Sequence, residues 1–317
     1  MAGKKKRLKL LVVLPIVVVF ILIADLCDTG LLPNWLQKPL DAFNGATGGL
    51  LYTQKQDTSG LTVHFIDVGQ GDSELVCCGG EDMLIDGGVP EEGATVEDYL
   101  RENGVKSLEY VVGTHPHDDH IGGLVDVIRD FPTGTIIMSP ATTTTQTYEN
   151  FLNAVKSRDK TITRAVVGRS YSLGGAKFQI LGPISNYDDL NDMSVVIRLT
   201  YKSRAFLFTG DASAPSEQDL LASGTDLSAD VLKVGHHGSS TATTEAFLEA
   251  VHPSFAIISV GQGNSYGLPD TEVTQRLKDA GITVFRTDTD GTIVFTCNDN
   301  NITYKEEKKR GNFNETS

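Results

Sequence analysis

Short apolar runs rich in β-branched residues recur from residue 61 onward. They are Leu61 to Val68, Glu74 to Cys78, Met83 to Ile85, Leu108 to Val112, Thr135 to Met138, Lys177 to Leu181, Ser194 to Leu199, Ala205 to Phe208, Val231 to Val234, Ala256 to Val260, Thr283 to Phe285 and Thr292 to Thr296. Turn-forming residues separate many of them, so each predicts a strand. Helical spacing appears at Val96 to Leu100, Leu124 to Phe131, Tyr148 to Lys156, Glu217 to Leu221, Thr244 to Val251 and Thr271 to Ala280, with Gly104 and Gly281 as helix stops. The first strands follow one another directly and later ones alternate with helices. That order predicts an α+β layered domain, with sheets inside and helices outside.

The two ends have a different texture. Lys4, Lys5, Lys6, Arg7 and Lys9 precede an uncharged apolar run from Leu10 to Ala24. The run is shorter than the roughly 20 residues a bilayer span prefers. Its basic flank predicts a transmembrane or signal-anchor helix over residues 1–27, with the N-terminus in the cytoplasm and the remainder outside. No clean small-x-small cleavage site follows, so retention of the anchor is expected over secretion of a cleaved product. Residues 28–59 read as a linker with one short helix near Trp35 to Phe43. Residues 60–300 form the predicted folded domain, and 301–317 read as a polar tail.

Formal net charge is −14, and residues 1–9 carry five basic side chains and no acidic one, so the body is more acidic than the total. A wide basic track for nucleic acid is excluded, although a polyanion held through metal ions is not. Cys27, Cys77, Cys78 and Cys297 lack metal-site or disulfide-framework spacing and read as buried thiols, with Cys77 and Cys78 on opposite faces of one strand.

Candidate chemistry concentrates after the strand at Leu108 to Val112. Three of the chain's seven histidines and two aspartates lie in His115-Pro116-His117-Asp118-Asp119-His120, followed by Gly122-Gly123 and a helix. Imidazole suits a borderline cation such as zinc, and carboxylates add charge and oxygen donors. His115 and His117 can serve one cation while Asp119 and His120 serve a neighbour, with Asp118 facing solvent or lending support. Two close cations acidify water and clamp a phosphoryl or acyl oxygen.

The segment Phe65-Ile66-Asp67-Val68-Gly69-Gln70-Gly71-Asp72-Ser73 comes first, then Leu84-Ile85-Asp86-Gly87-Gly88, then His115 to Gly123. Asn191-Asp192-Met193-Ser194, Thr209-Gly210-Asp211 and Lys233-Val234-Gly235-His236-His237-Gly238-Ser239 follow. In this order, over about residues 60–297, the chain resembles the metallo-β-lactamase superfamily. Its nearest likeness is to the metallo-β-lactamase-like domain of ComEC/Rec2 competence proteins. The resemblance implies a four-layer αββα sandwich with metals at one sheet edge. It implies His115, His117, Asp119, His120, Asp211 and His236 as ligands, with Asp211 bridging and His237 the adjacent candidate. Asp86 is expected to support the histidines and Asp72 to line the cleft, while Asp67 holds its turn. Asp119 and Asp211 are the expected catalytic carboxylates. Asn191 and Ser194 are expected to meet substrate, with Asp192 beside them.

Two departures qualify the resemblance. Many relatives carry another histidine between the first motif and the bridging aspartate; here Asn191 to Ser194 occupy that place, as in the competence branch. Zinc is the default for the two divalent ions, but an oxygen-rich site also suits manganese or magnesium. The branch often has Tyr-Gly-His-Pro where this chain has Tyr266-Gly267-Leu268-Pro269, and Leu268 neither coordinates nor donates a proton. The expected activity is phosphodiester cleavage, with single-stranded DNA outside the membrane as substrate. With one candidate span and no channel, the expectation is a free-standing surface nuclease. The alternatives are a phosphodiesterase of cell-envelope polymers, an acyl or lactam hydrolase, and a non-catalytic metal-containing binding module.

Overall fold

A computed structural model describes residues 60–298 and 301–307. The expected anchor, the linker with its helix near Trp35, and the last ten residues lie outside the described residues. Among the described residues no helix is long and apolar enough to cross a membrane.

Two sheets form the centre. The larger runs β15-β14-β1-β2-β3-β4-β5-β6 and the smaller β13-β12-β11-β10-β9-β8-β7. In the first, β1 (Leu61–Phe65), β2 (Glu74–Cys78) and β3 (Glu81–Ile85) are an antiparallel meander, while β4 (Leu108–Gly113), β5 (Thr133–Met138) and β6 (Ile162–Arg164) continue in parallel. In the second, β7 (Ser170–Leu173), β8 (Ala176–Ile180), β9 (Ile197–Tyr201) and β10 (Arg204–Phe208) are antiparallel. β11 (Val231–Lys233), β12 (Phe255–Ile258) and β13 (Thr283–Arg286) then add in parallel. β14 (Thr292–Asn298) returns to the first sheet beside β1.

The period-2 pattern of the strands sorts side chains into three cores. Leu61, Val63 and Phe65 of β1 meet Phe178, Phe206, Phe208 and Phe295 between the sheets. Leu84, Val111 and Ile136 face outward onto helices α1 (Gly93–Glu102), α3 (Leu124–Asp130) and α4 (Gln146–Ser157). Leu207, Leu232 and Ala256 face the opposite way, onto α5 (Ala214–Ala222), α6 (Glu245–Val251) and α7 (Thr271–Asp279). The layers are therefore helix, sheet, sheet, helix, as the resemblance implied. Cys77 and Cys78 fall in different cores, and Cys77, Cys78 and Cys297 are free and buried.

The polar tail expected from residue 301 is corrected in its first part. Asn301–Glu307 is a strand, β15, paired along all of β14. Its side chains are mostly exposed, but Tyr304 packs on Phe255, Phe285 and Phe295. The short edge strands β6 and β7 were also not foreseen, since each is too short and polar to show alternation.

Candidate metal centre

The chemistry collects where the chain leaves β1, β3, β4, β10, β11 and β12. β4 ends at Gly113, and a single turn, α2 (Asp118–Ile121), follows His117. His115 and His120 are fully buried. Gly71 permits the approach of the loop from β1: at φ 128° it lies so close that a Cβ would sit 2.2 Å from the Asp119 carbonyl oxygen. Asp72 N donates to that same oxygen at 3.2 Å.

His120 and His237 define the centre. His120 Nδ1 lies 2.8 Å from Asp86 Oδ2, and His237 Nδ1 lies 2.9 Å from the Ser259 carbonyl oxygen. Both rings are thereby turned so that Nε2 faces inward. His120 Nε2 is 3.2 Å from Asp211 Oδ2, and His237 Nε2 is 3.4 Å from that oxygen and 3.2 Å from Asp119 Oδ2. Neither Nε2 has a hydrogen-bond partner, and neither does Asp211 Oδ1. Buried polar atoms are normally satisfied. Orphaned imidazole nitrogens and carboxylate oxygens converging on one point are the donor set a divalent cation takes. Four overlapping ligand groups, His115–His120–Asp211, Asp72–Asp211–His237, Asp119–His120–His237 and Asp72–Asp86–His120, could each hold an ion, and Asp211 belongs to two of them. The residues fit a dinuclear divalent site that shares Asp211.

The electrostatics agree. Burial alone would lower the His120 and His237 pKa values, but Asp211 with Asp119 and Asp86 around His120, and Asp211 with Asp72 around His237, hold both well above the ordinary range. Burial and the neighbouring His120 push His115 well below it. Burial opposes ionisation of Asp211, but His237 and His120 outweigh it and hold its pKa well down. A bound cation takes over the role of these imidazole protons, so binding releases protons.

Surrounding residues fix these ligands. Asp86 Oδ1 accepts from Thr114 N at 2.8 Å and Oδ2 from Thr114 Oγ1 at 2.6 Å. His115 sits with Nδ1 3.2 Å from Ser194 Oγ and Nε2 3.0 Å from His117 Nδ1. Ser194 Oγ also accepts from Asp211 N at 3.0 Å. Ser194 is fully buried and braces His115 and Asp211. Asp192 accepts from Ser213 N and Oγ at 2.9 and 2.8 Å, fixing the chain just after Asp211. Asn191 Oδ1 has no partner. Asp118 is exposed, and Asp67 accepts from Gly69 N, holding its turn.

The sequence favoured His236; the structure brings His237 into the cluster instead. His236 keeps 28% exposure, its Nε2 lies 3.9 Å from Asp211 Oδ2, and its Nδ1 lies 3.1 Å from Thr241 Oγ1. Both residues adopt positive φ, 49° and 53°. That uncommon backbone turns His237 inward and leaves His236 at the rim. Leu268 packs against the outer core of the second sheet. Lys233 and Glu74, both buried beneath the centre, were missed. The visible signal was a charged residue within each of two apolar strands.

These features define a class. The metallo-beta-lactamase superfamily model matches residues 66–262, and the chain belongs to that superfamily. It is similar to ComE operon protein 3 of Bacillus subtilis, 29% identical over 74% of this chain and 32% of that protein. It is 33% identical to Recombination protein 2 of Haemophilus influenzae over 68% of this chain and 26% of that protein. Competence protein ComA of Neisseria gonorrhoeae is 32% identical over 72% of this chain and 31% of that protein. The chain thus spans about a third or less of the length of these relatives. Among solved structures, Igni18, a metallo hydrolase from Ignicoccus hospitalis, superposes with a TM-score of 0.50 at 17% identity, over 78% of this chain and all of that one, and shares the fold. The chain is a metallo-hydrolase of this superfamily with competence-protein homologues.

Proposed function

We propose that the protein hydrolyses phosphodiester bonds, with single-stranded DNA as substrate, and that residues 1–27 anchor it in the membrane with the catalytic domain outside. The observation that carries the chemistry is the convergence of His120 Nε2 and His237 Nε2, two buried atoms without hydrogen-bond partners, on Asp211 Oδ2 at 3.2 and 3.4 Å. The substrate class is supported by relatives whose names place them in competence and recombination, processes that act on DNA. The anchor is supported by the basic run and the apolar stretch that follows it.

In this reading His115, His117 and Asp211 would hold one cation, and Asp119, His120, His237 and Asp211 would hold the other. Divalent ions so placed supply acidified water and polarise the phosphoryl oxygen. Asp86, the Ser259 carbonyl and Ser194 keep His120, His237 and His115 in their ligand orientations. His236, the part-exposed imidazole beside Asp211, meets the incoming strand, and Asn191 is the further polar group offered to it. The acidic body leaves affinity to the centre itself, so binding is local and non-processive.

The test is hydrolysis by the full chain, loaded with manganese or zinc, of a single-stranded oligonucleotide, bis-nitrophenyl phosphate, a teichoic-acid-type polymer and a chromogenic lactam. Cleavage of the oligonucleotide is expected. Turnover of the lactam alone would replace the reading with acyl hydrolysis. That outcome has some support in a match to hydroxyacylglutathione hydrolase of Vibrio parahaemolyticus, which covers 15% of this chain.

A further inference from the structure

A lysine lies beneath the centre where the strand pattern calls for an apolar side chain. Val231 and Lys233 share one face of β11, and Val231 packs in the core between the sheets. Lys233 is 1% exposed. Its ammonium forms an ion pair with Asp72 and donates to the Gly210 carbonyl oxygen at 3.3 Å. Gly210 directly precedes Asp211, so one cation holds both Asp72 and the backbone that carries the shared ligand. Glu74 Oε1 is buried nearby without a partner. The floor of the centre therefore gathers Asp72, Glu74, Asp86 and Asp211, all buried. Among the described residues Lys233 is the lysine or arginine built into that floor.

We propose that Lys233 is an internal counter-ion that keeps the acidic floor formed when no metal is bound, and that it does so by weakening metal binding. The inference rests on the reading that the histidine–aspartate cluster holds divalent cations. Its physical basis is competition. An ammonium tethered to β11 and a dication above it draw on the same carboxylates and repel each other. A buried carboxylate stripped of its partner is strongly destabilising. Without a metal, Lys233 relieves that penalty beside the inward-facing His120 and His237; with metals bound, the metals share the task. Loss of Lys233 then destabilises the metal-free fold more than the loaded one, and by linkage the folded chain must bind metal more tightly. Loss of the Asp72 charge does the reverse. It leaves Lys233 with the Gly210 carbonyl and an unshielded repulsion toward the metals, while Ser259 still orients His237.

The two substitutions are thus expected to move metal affinity in opposite directions, which a merely structural role for either residue does not produce. The experiment uses the full chain stripped by chelator, titrated with manganese(II) and separately with zinc(II) by competition calorimetry. Melting temperatures are read with and without the metal. Lys233→Met is expected to tighten binding by about tenfold or more and to widen the gap between loaded and metal-free melting temperatures. Asp72→Asn is expected to weaken binding and narrow the gap. The double variant, with both charges gone, should return toward the wild-type values. A Lys233→Met chain that folds only with metal present is the limiting form of the expected result. If it fails to fold at all, recovery of folding in the double variant supports the counter-ion role. A double variant that also fails overturns it. Weaker binding in both single variants, or an unchanged gap in both, likewise overturns it. A wild-type chain that shows no metal-dependent gap defeats the metal reading itself, before any variant is compared.

Discussion

Asp86 Oδ2 lies 2.8 Å from His120 Nδ1 across 34 positions of sequence, and that contact decides which nitrogen of His120 faces Asp211. The same carboxylate is held from the other side by the backbone and hydroxyl of Thr114. Asp86 has φ 55°, so the chain holds a non-glycine residue in the left-handed region to place it. The Asp86→Asn variant should keep its fold, since the amide still occupies the space. It loses the charge that orients and polarises His120, and metal affinity should fall about 10–100-fold. Titration of the stripped variant with zinc checks this; unchanged affinity would show that the Asp86 charge does not support His120 as a ligand.

His236 and His237 are neighbours with different fates. His237→Ala removes an inward Nε2 and should abolish binding of one cation, with hydrolysis reduced by orders of magnitude. His236→Ala removes a ring that is 28% exposed and should leave metal content unchanged. Elemental analysis of both variants separates them. Loss of metal in His236→Ala with retention in His237→Ala would reverse the assignment.

His64 offers a pH test outside the centre. It is buried against α1, with Nδ1 2.8 Å from the Tyr99 hydroxyl and Nε2 3.1 Å from Thr62 Oγ1, while Tyr99 donates to Glu307. Burial lowers its pKa from 6.5 to about 4, with Glu307 opposing and Lys305 assisting. The unfolded chain therefore binds a proton at higher pH than the folded chain does. The stability tied to neutral His64 is fully present above pH 6.5 and is lost as pH falls through about 4. A difference of this size corresponds to roughly 3 kcal/mol. Urea unfolding at pH 7 and pH 4.5 should show a smaller loss for His64→Gln than for the wild type; equal losses would contradict it.

The core between the sheets should be as sensitive as its packing suggests. Phe295 is fully buried and meets the rings of Phe65, Phe206, Phe255 and Phe285, with Tyr304 of β15 over the same group. Phe295→Ala should cost about 3–5 kcal/mol. Tyr304→Ala, at an exposed edge, should cost much less, and denaturant midpoints would show the difference.

What the sequence disclosed follows from how local each signal is. His115 to His120 were legible because the ligands are contiguous, and the glycines around them mark where backbones close in. The strands of the central sheets were legible because both faces are buried, one against the other sheet and one against helices, so each reads as a near-continuous apolar run. β15 was not, since its side chains are mostly exposed and its pairing rests on backbone bonds to β14. The choice between His236 and His237 was not, because it depends on two left-handed residues that no spacing rule signals. The bracing by Ser194 was not, because it depends on the fully buried position that residue takes under His115. Lys233 was hidden in the run Val231 to Val234, which reads as apolar until its face is known.

The central claim is that ligands from three distant segments meet to hold cations. Metal-to-protein stoichiometry measures it directly: the full chain is stripped, reloaded with zinc or manganese, freed of excess ion and analysed by elemental spectroscopy. About two ions per chain are expected, falling in Asp211→Ala, which removes the shared carboxylate. A wild-type chain that retains no stoichiometric metal, or an Asp211→Ala chain that retains it all, would contradict it.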